Sequence, residues 1–213
     1  MSKTDEEQIE DLKKWWEKNG KFVIILLLAV VCGVVGGRAW NNYQDGLKAN
    51  ASSLYDQMME AVQGGNKEAA LTAGGRLVES YSESAYAVLA ALNLAKLEVE
   101  KGDTQSARTR LSWAIDKAQM DSLKHVARLR LTQLLLDANE LDQALSQTAV
   151  PDAGEFASAY SALKGDIYSK QGKLGEARIA YQQALERTDL APQLRRTVQM
   201  KLDDLGVEEG AKS

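Results

Sequence analysis

The pattern of hydrophobic positions divides the chain into one uninterrupted apolar stretch and a long amphipathic remainder. Residues 22–37 read FVIILLLAVVCGVVGG and include no charged or amide side chain. An α-helix satisfies its own backbone hydrogen bonds, so such a run is stable in lipid. Its rise of about 24 Å is less than the thickness of the hydrocarbon core, and the flanking Lys21, Arg38 and Trp40 extend it. The pattern therefore predicts a transmembrane helix over residues 22–40.

A cleaved signal peptide is the main alternative for an apolar run near an N-terminus. The leading region carries six acids against five lysines, and no small-x-small cleavage site follows the run. Both features favour a retained anchor. Cys32 is the only cysteine and lies inside the run, so no intramolecular disulfide can form.

The orientation follows from the Lys and Arg residues in the short flanks. Four lysines precede the helix closely, namely Lys13, Lys14, Lys18 and Lys21, and Arg38 and Lys48 follow it. This excess places the N-terminus in the cytoplasm and the rest of the chain on the far side of the membrane, which in a bacterium is the periplasm. Residues 1–21 are expected to form a cytoplasmic amphipathic segment, because Ile9, Leu12, Trp15 and Trp16 recur at helical spacing.

Beyond the anchor, the composition is rich in Ala, Leu, Glu, Gln and Lys, which is typical of helices. A Gly-x-x-x-x-Ala signature recurs four times, with Asn replacing Gly once. The copies are Gly65 with Ala70, Gly102 with Ala107, Asn139 with Ala144, and Gly172 with Ala177. Their spacings of 37, 37 and 33 residues (102−65, 139−102 and 172−139) are close to the tetratricopeptide period of about 34 residues. Gly or Asn ends the first helix of each repeat, and Ala lets the second helix pack closely on it.

The fold class predicted is all-α, with one N-terminal transmembrane helix followed by a tetratricopeptide-like α-solenoid. Two repeats depart from the pattern. We expect Gly74 and Gly75 to interrupt the second helix of the first repeat, and Thr148 and Pro151 to shorten that of the third. The predicted boundaries are residues 41–50 as a linker or helix continuation, 51–206 as the repeat domain with a capping helix after Pro192, and 207–213 as a disordered tail.

The residue inventory disfavours an enzyme and predicts no cofactor or metal. His125 is the sole histidine, no Gly-rich phosphate loop is present, and no carboxylate cluster has metal-ligand spacing. A structural or solvent-facing role is expected for His125. The net charge of −4 gives no electrostatic reason to expect nucleic acid as a partner.

Protein binding is the better expectation, because the first helices of tetratricopeptide repeats line a concave face. Counting from the turns predicts an apolar groove on that face, for a client segment or a partner helix. Its residues are Tyr55, Met59, Val62, Leu89, Leu92, Val99, Val126, Leu129 and Leu136. The alternative is that they are core, covered by neighbouring helices or by the helix from Leu194 to Leu205. In the span, Gly33, Gly36 and Gly37 form a small-residue face suited to helix packing.

Several short motifs occur in a fixed order around the one anchor. They are Lys18-Asn19-Gly20-Lys21, Gly37-Arg38-Ala39-Trp40-Asn41, Ala90-Ala91-Leu92-Asn93-Leu94-Ala95, Gly165, Gly172-Lys173, Ala177-Arg178 and Gln199-Met200-Lys201-Leu202. In the order and spacing of these motifs, the chain resembles the YfgM family of ancillary SecYEG translocon subunits over essentially its full length.

The resemblance implies an inner-membrane protein with periplasmic repeats that associates with SecYEG and with the membrane-anchored chaperone PpiD. The implied function is to help newly translocated proteins reach periplasmic chaperones, without catalytic residues. Two other functions suit the same architecture: a cell-wall or division scaffold, and a holdase chaperone that acts alone.

Overall fold

A computed structural model describes residues 5–187 and 191–211, which are helical and contain no strand. The all-α prediction is confirmed. The helices are α1 (Asp5–Gln63), α2 (Lys67–Ser80), α3 (Ala85–Glu100), α4 (Thr104–Lys117), α5 (Asp121–Asp137), α6 (Leu141–Gln147), α7 (Ala157–Lys170), α8 (Leu174–Glu186) and α9 (Pro192–Ala211), with a 3₁₀ turn at Gly154–Phe156. The chain divides into two compact units, Met1–Asn50 and Ala51–Ser213.

The first unit contains the apolar part of α1. The apolar side chains of this stretch, such as Phe22, Leu28 and Val35, are exposed along the helix. Its most apolar window has a mean hydropathy of 2.5, and none of it is buried in the protein. By length and composition this is a helix that can cross a membrane, as predicted. The helix continues through residues 41–50 without a break.

The second unit is built from four helix pairs, each joined by a tight left-handed turn. The turn residues have positive φ, at 73° for Gly65, 82° for Gly102, 62° for Asn139 and 74° for Gly172. The alanine five positions later is fully buried in every pair: Ala70, Ala107, Ala144 and Ala177. The predicted Gly/Asn-x-x-x-x-Ala repeats are thus confirmed at all four positions.

Each turn is closed by the same pair of backbone hydrogen bonds, which define a Schellman motif. The N–H of the residue after the turn donates to a carbonyl five residues back, at 2.9 Å in each case: Asn66 to Ala61, Asp103 to Glu98, Glu140 to Leu135 and Lys173 to Tyr168. The turn residue donates to the carbonyl three positions back, as Gly102 does to Val99 at 2.9 Å. Asn66 and Asp103 also cap the helices that follow, accepting bonds from the N–H groups of Ala69 and Ser106.

Three apolar clusters lie along the second unit. The end of α1 packs on α2 and α3 through Leu54, Met58, Leu77 and Leu94. The largest cluster joins α3, α4, α5 and α6 and extends to Ile167 of α7. The last cluster joins α7, α8 and α9. Each repeat therefore buries its apolar surface on the next, as expected for a solenoid.

Charged pairs connect neighbouring helices and loops at the solenoid surface. Lys67 pairs with Glu100 at 2.7 Å and Lys117 with Glu83 at 2.8 Å, and Arg108 pairs with Glu140. The hydrogen bond from Lys117 lowers the pKa of Glu83 below its ordinary value. The side chains of these pairs are partly or largely exposed to water, which weakens the attraction between their charges.

Gly74 has a different role from the one expected. Helix α2 is continuous from Lys67 to Ser80, so Gly74 and Gly75 do not interrupt it, and that prediction is wrong. A Cβ at Gly74 would lie 2.9 Å from Cδ2 of Leu94 and 3.0 Å from Sδ of Met58. Gly74 therefore lets α2 approach its neighbours closely. Gly75 faces open space.

The third repeat and the C-terminal end follow the sequence more closely. Helix α6 is only 7 residues long, as expected, and Thr148 ends it by donating from Oγ1 to the Leu145 carbonyl at 2.7 Å. Helix α9 buries Val198 and Leu205 against α7 and α8, which confirms the capping helix. Its backbone is helical to Ala211, within the stretch expected to be a disordered tail. Residues 212–213, like residues 1–4, lie outside the described ranges.

The two neighbouring glycines of α2 provide a matched test of close packing. We expect Gly75→Ala to raise the free energy of unfolding by about 0.5–1 kcal/mol, because alanine favours the helix. Gly74→Ala adds the same helix propensity, but its methyl group is too close to the side chains of Met58 and Leu94. We expect it to be about 1–3 kcal/mol less stable than Gly75→Ala. Urea unfolding of the full chain in mild detergent, followed by circular dichroism, measures the difference; equal stabilities would contradict the packing at Gly74.

Candidate protein-binding groove

The groove residues lie on the first helices of the repeats, which are the end of α1, then α3, α5 and α7. Helices α3 and α5 contact each other, as do α5 and α7. The end of α1 shares an apolar cluster with α3, so the first helices form one continuous layer. The second helices, α2, α4, α6 and α8, pack on this layer. Side chains on its free surface are the ones that a bound segment would contact.

Two of the nine predicted groove residues are core residues in this structure. Leu92 is 3% exposed and Leu136 is 6% exposed, and both belong to the central apolar cluster. Tyr55, Val62 and Val126 are half-buried and pack against the clusters beneath them. Leu92 and Leu136 are therefore part of the core, which was the alternative to a position in the groove.

The remaining four residues are at least partly accessible and lie outside the apolar clusters. Met59, Leu89 and Leu129 are half-buried, and Val99 is 45% exposed. We refer to Met59, Leu89, Val99 and Leu129 as the apolar strip. They come from the first helices of the first three repeats, so the solenoid places an accessible apolar residue on each.

Polar side chains also belong to this surface, and the counting from the turns overlooked them. Met59 lies six positions before its turn, and the equivalent positions (102−6, 139−6 and 172−6) are Lys96, Gln133 and Asp166. Lys96 and Gln133 are exposed. The face is therefore mixed rather than uniformly apolar, and comparing all four repeats at one position would have found this.

Hydrogen bonds fix the surface between the repeats. Tyr55 and Tyr86 have ring centroids 5.7 Å apart, and Asn93 donates from Nδ2 to the Tyr55 hydroxyl at 3.4 Å. Arg130 of α5 donates to the Leu92 carbonyl of α3 at 3.0 Å. These contacts hold neighbouring first helices in register, so the surface is preorganised.

The capping helix reaches the groove position of the last repeat. The Tyr181 hydroxyl donates to Oδ1 of Asp166 at 2.8 Å, and Lys201 of α9 donates to the same oxygen at 2.6 Å. Burial and the adjacent carboxylate raise the pKa of Tyr181 well above its usual range, so it remains a donor. Asp166 is thus engaged by two other helices, whereas Gln133 at the equivalent position donates only within α5, to Asp137 at 2.8 Å.

His125 takes part in an aromatic cluster where α5 meets the segment before α7. Its ring stacks on Phe156 with centroids 5.0 Å apart, and Nδ1 lies 3.1 Å from the Tyr160 hydroxyl. Burial raises the pKa of Tyr160. A cavity of about 670 Å³ opens beside the cluster, lined by α5 and by residues 150–156. Within the described residues, no group of His, Cys, Asp and Glu side chains is arranged to hold a metal ion.

The small residues of the span lie on an open helix surface. A Cβ added at Gly33, Gly36 or Gly37 would meet no atom within 4 Å. Gly33 and Gly37 are four residues apart and so share a face of α1. This face is open to a second helix in the membrane.

Comparison with known proteins identifies relatives along the whole chain. A family model described as a tetratricopeptide repeat-like domain matches residues 13–207, which include the span as well as the repeats. An ancillary SecYEG translocon subunit of Haemophilus influenzae is 32% identical over 201 residues, covering 94% of this chain and 97% of that protein. Proteins with the same name in Aggregatibacter actinomycetemcomitans and Escherichia coli are 30% and 26% identical, each matched over 97% of its length.

Charged substitutions distinguish the apolar strip from the core. We expect Leu92→Asp and Leu136→Asp to lower the free energy of unfolding by about 3–5 kcal/mol, because each buries an unpaired carboxylate. Leu129→Asp and Met59→Asp leave the carboxylate in contact with water and should cost about 1 kcal/mol or less. Urea unfolding in mild detergent measures all four. If the strip variants were as destabilised as the core variants, the strip would also be core.

Proposed function

The chain belongs to the tetratricopeptide repeat-like family of ancillary SecYEG translocon subunits, and on that premise we propose that it is a membrane-anchored, non-catalytic scaffold of the Sec translocon. The observation that carries the proposal is the extent of the similarity, which includes the span and all four repeats. A relative that shared only the repeats would support a helical scaffold but no common membrane site.

The proposed topology places the repeats in the periplasm of the bacterial inner membrane. Lys13, Lys14, Lys18 and Lys21 precede the span, whereas Arg38 and Lys48 follow it. Positively charged flanks are retained in the cytoplasm during insertion. The N-terminal segment is therefore cytoplasmic, and the solenoid lies on the side where translocated chains emerge.

The anchor and the groove have complementary functions in this proposal. A single membrane helix confines the repeats to the membrane surface and raises their effective concentration near emerging chains. The apolar strip supplies contacts for an apolar segment, and the exposed Lys96 and Gln133 supply polar contacts beside it. By resemblance to the YfgM family, the occupant is the anchored chaperone PpiD or a newly translocated chain passing to periplasmic chaperones.

The open glycine face of the span is the proposed contact within the membrane. Without a hydrophobic driving force in lipid, helices associate through close backbone approach at small residues. Gly33, Gly36 and Gly37 leave that approach unobstructed. A bulkier side chain would keep a partner helix away.

Co-purification in mild detergent tests the association. We expect the tagged full chain to retain SecYEG subunits, and Gly33→Leu with Gly37→Leu to reduce their recovery about tenfold, the effect of losing one close helix contact. Val31→Leu with Val35→Leu is the matched control, because these residues lie on the opposite side of the helix. Absence of SecYEG subunits from the wild-type complex would contradict the proposed function. Equal recovery with both variants would exclude only the glycine face.

A further inference from the structure

The charges of the segment before the span are separated along the helix. Asp5, Glu6, Glu7, Glu10 and Asp11 occupy its outer part. The part next to the span contains Lys13, Lys14, Lys18 and Lys21, with Glu17 as its only acid. Helix α1 includes this segment and the span without a break, so the basic part is held directly against the membrane surface.

The helical rise places the lysines relative to the lipid. With the hydrocarbon boundary at Phe22, Lys18 lies about 4.5 Å and Lys14 about 10.5 Å beyond Lys21 along the axis. The headgroup layer of each leaflet is about 5–8 Å thick. Lys18 and Lys21 are therefore within this layer, and the long side chain of Lys14 reaches it. The outer acids are beyond it, in water.

Three of these lysines form one stripe on the helix. Lys14, Lys18 and Lys21 are separated by four and three residues, so they share a face. Their side chains are exposed. Lys14 is 3.3 Å from Glu10, but both side chains are about 70% exposed, so this pair is weak and does not prevent contact with a headgroup.

The two tryptophans before the span are suited to the same layer. Trp15 and Trp16 are 50% and 49% exposed. The ring of Trp16 lies along the helix over Gly20, where an added Cβ would be 3.0 Å from its Cε2 atom. The ring is thus directed toward the membrane, at the depth where tryptophan is favoured.

We propose that Lys14, Lys18 and Lys21 bind the headgroups of anionic phospholipids, with Trp15 and Trp16 seated beside them in the same leaflet. Charge complementarity identifies this occupant: an anionic surface attracts the inner lysines, which outnumber the one inner acid, Glu17, and the five outer acids lie where its repulsion is screened. The proposal requires the membrane helix but not the association with SecYEG, so the two can fail independently.

Tryptophan quenching in nanodiscs tests the lipid preference. The full chain is prepared with Trp40→Phe and Trp113→Phe, so that Trp15 and Trp16 report alone. Two membranes are compared, both made of phosphatidylcholine with the same fraction of phosphatidylglycerol. The brominated lipid is phosphatidylglycerol in the first membrane and phosphatidylcholine in the second, and its fraction of the total lipid is the same in both. We expect stronger quenching by the brominated phosphatidylglycerol, corresponding to a local enrichment of about fivefold, the effect of one lysine near an anionic surface. The two leaflets of a nanodisc have the same lipid composition. A lysine variant that inserts in the opposite orientation therefore meets the same lipids, and the quenching can still be compared.

Two sets of variants identify the groups responsible. Lys14→Gln, Lys18→Gln and Lys21→Gln together should abolish the enrichment. The same substitution at the exposed Lys96, Lys101 and Lys173 of the repeats removes equal charge and should leave it unchanged. Raising the salt concentration from 0.05 to 0.5 M should also suppress it, because the interaction is electrostatic. Equal quenching by the two brominated lipids, or enrichment that survives loss of the three lysines, would overturn the proposal.

Discussion

The architecture of the second unit depends on one local constraint, the left-handed turn between the two helices of each repeat. A β-carbon makes that conformation unfavourable by about 1 kcal/mol, so Gly65, Gly102 and Gly172 occupy it, and Asn139 is the one tolerated substitute. The turn ends the first helix through a Schellman motif and directs the second helix back along it. The fully buried alanine that follows then allows close packing. This repeated unit places the first helices side by side in one layer and buries the apolar core between the two helices of each pair.

The first unit is suited to lipid rather than water, and its pattern of apolar residues differs from that of the repeats. The apolar side chains of the span are exposed, as suits a helix in contact with lipid, whereas the repeats bury Leu and Ala against one another. Lysines and tryptophans mark the boundary where the solvent changes. The proposed function combines the two parts: the anchor determines where the protein acts, and the solenoid presents a preorganised surface there.

Sequence patterns predicted the features that depend on local chemistry. The turns, the buried alanines, the short α6 and the capping helix each depend on a few neighbouring residues, and all are present. The features that were missed depend on distant neighbours. Gly74 resembles a helix breaker until Met58 and Leu94 are placed against it. Leu92 and Leu129 occupy equivalent positions, ten before their turns (102−92 and 139−129), yet packing by other helices buries the first more deeply.

The central proposal is that the apolar strip is a protein-binding surface of a membrane-anchored scaffold. Site-specific photocrosslinking in native membranes tests it most directly, with probes at Met59 and Leu129 of the strip and at Met200, which is exposed on α9, as the control. The account predicts adducts with a SecYEG subunit, a translocating chain or a periplasmic chaperone at the two strip positions, and none at Met200. Equal adducts at all three positions, or none at the strip, would contradict it.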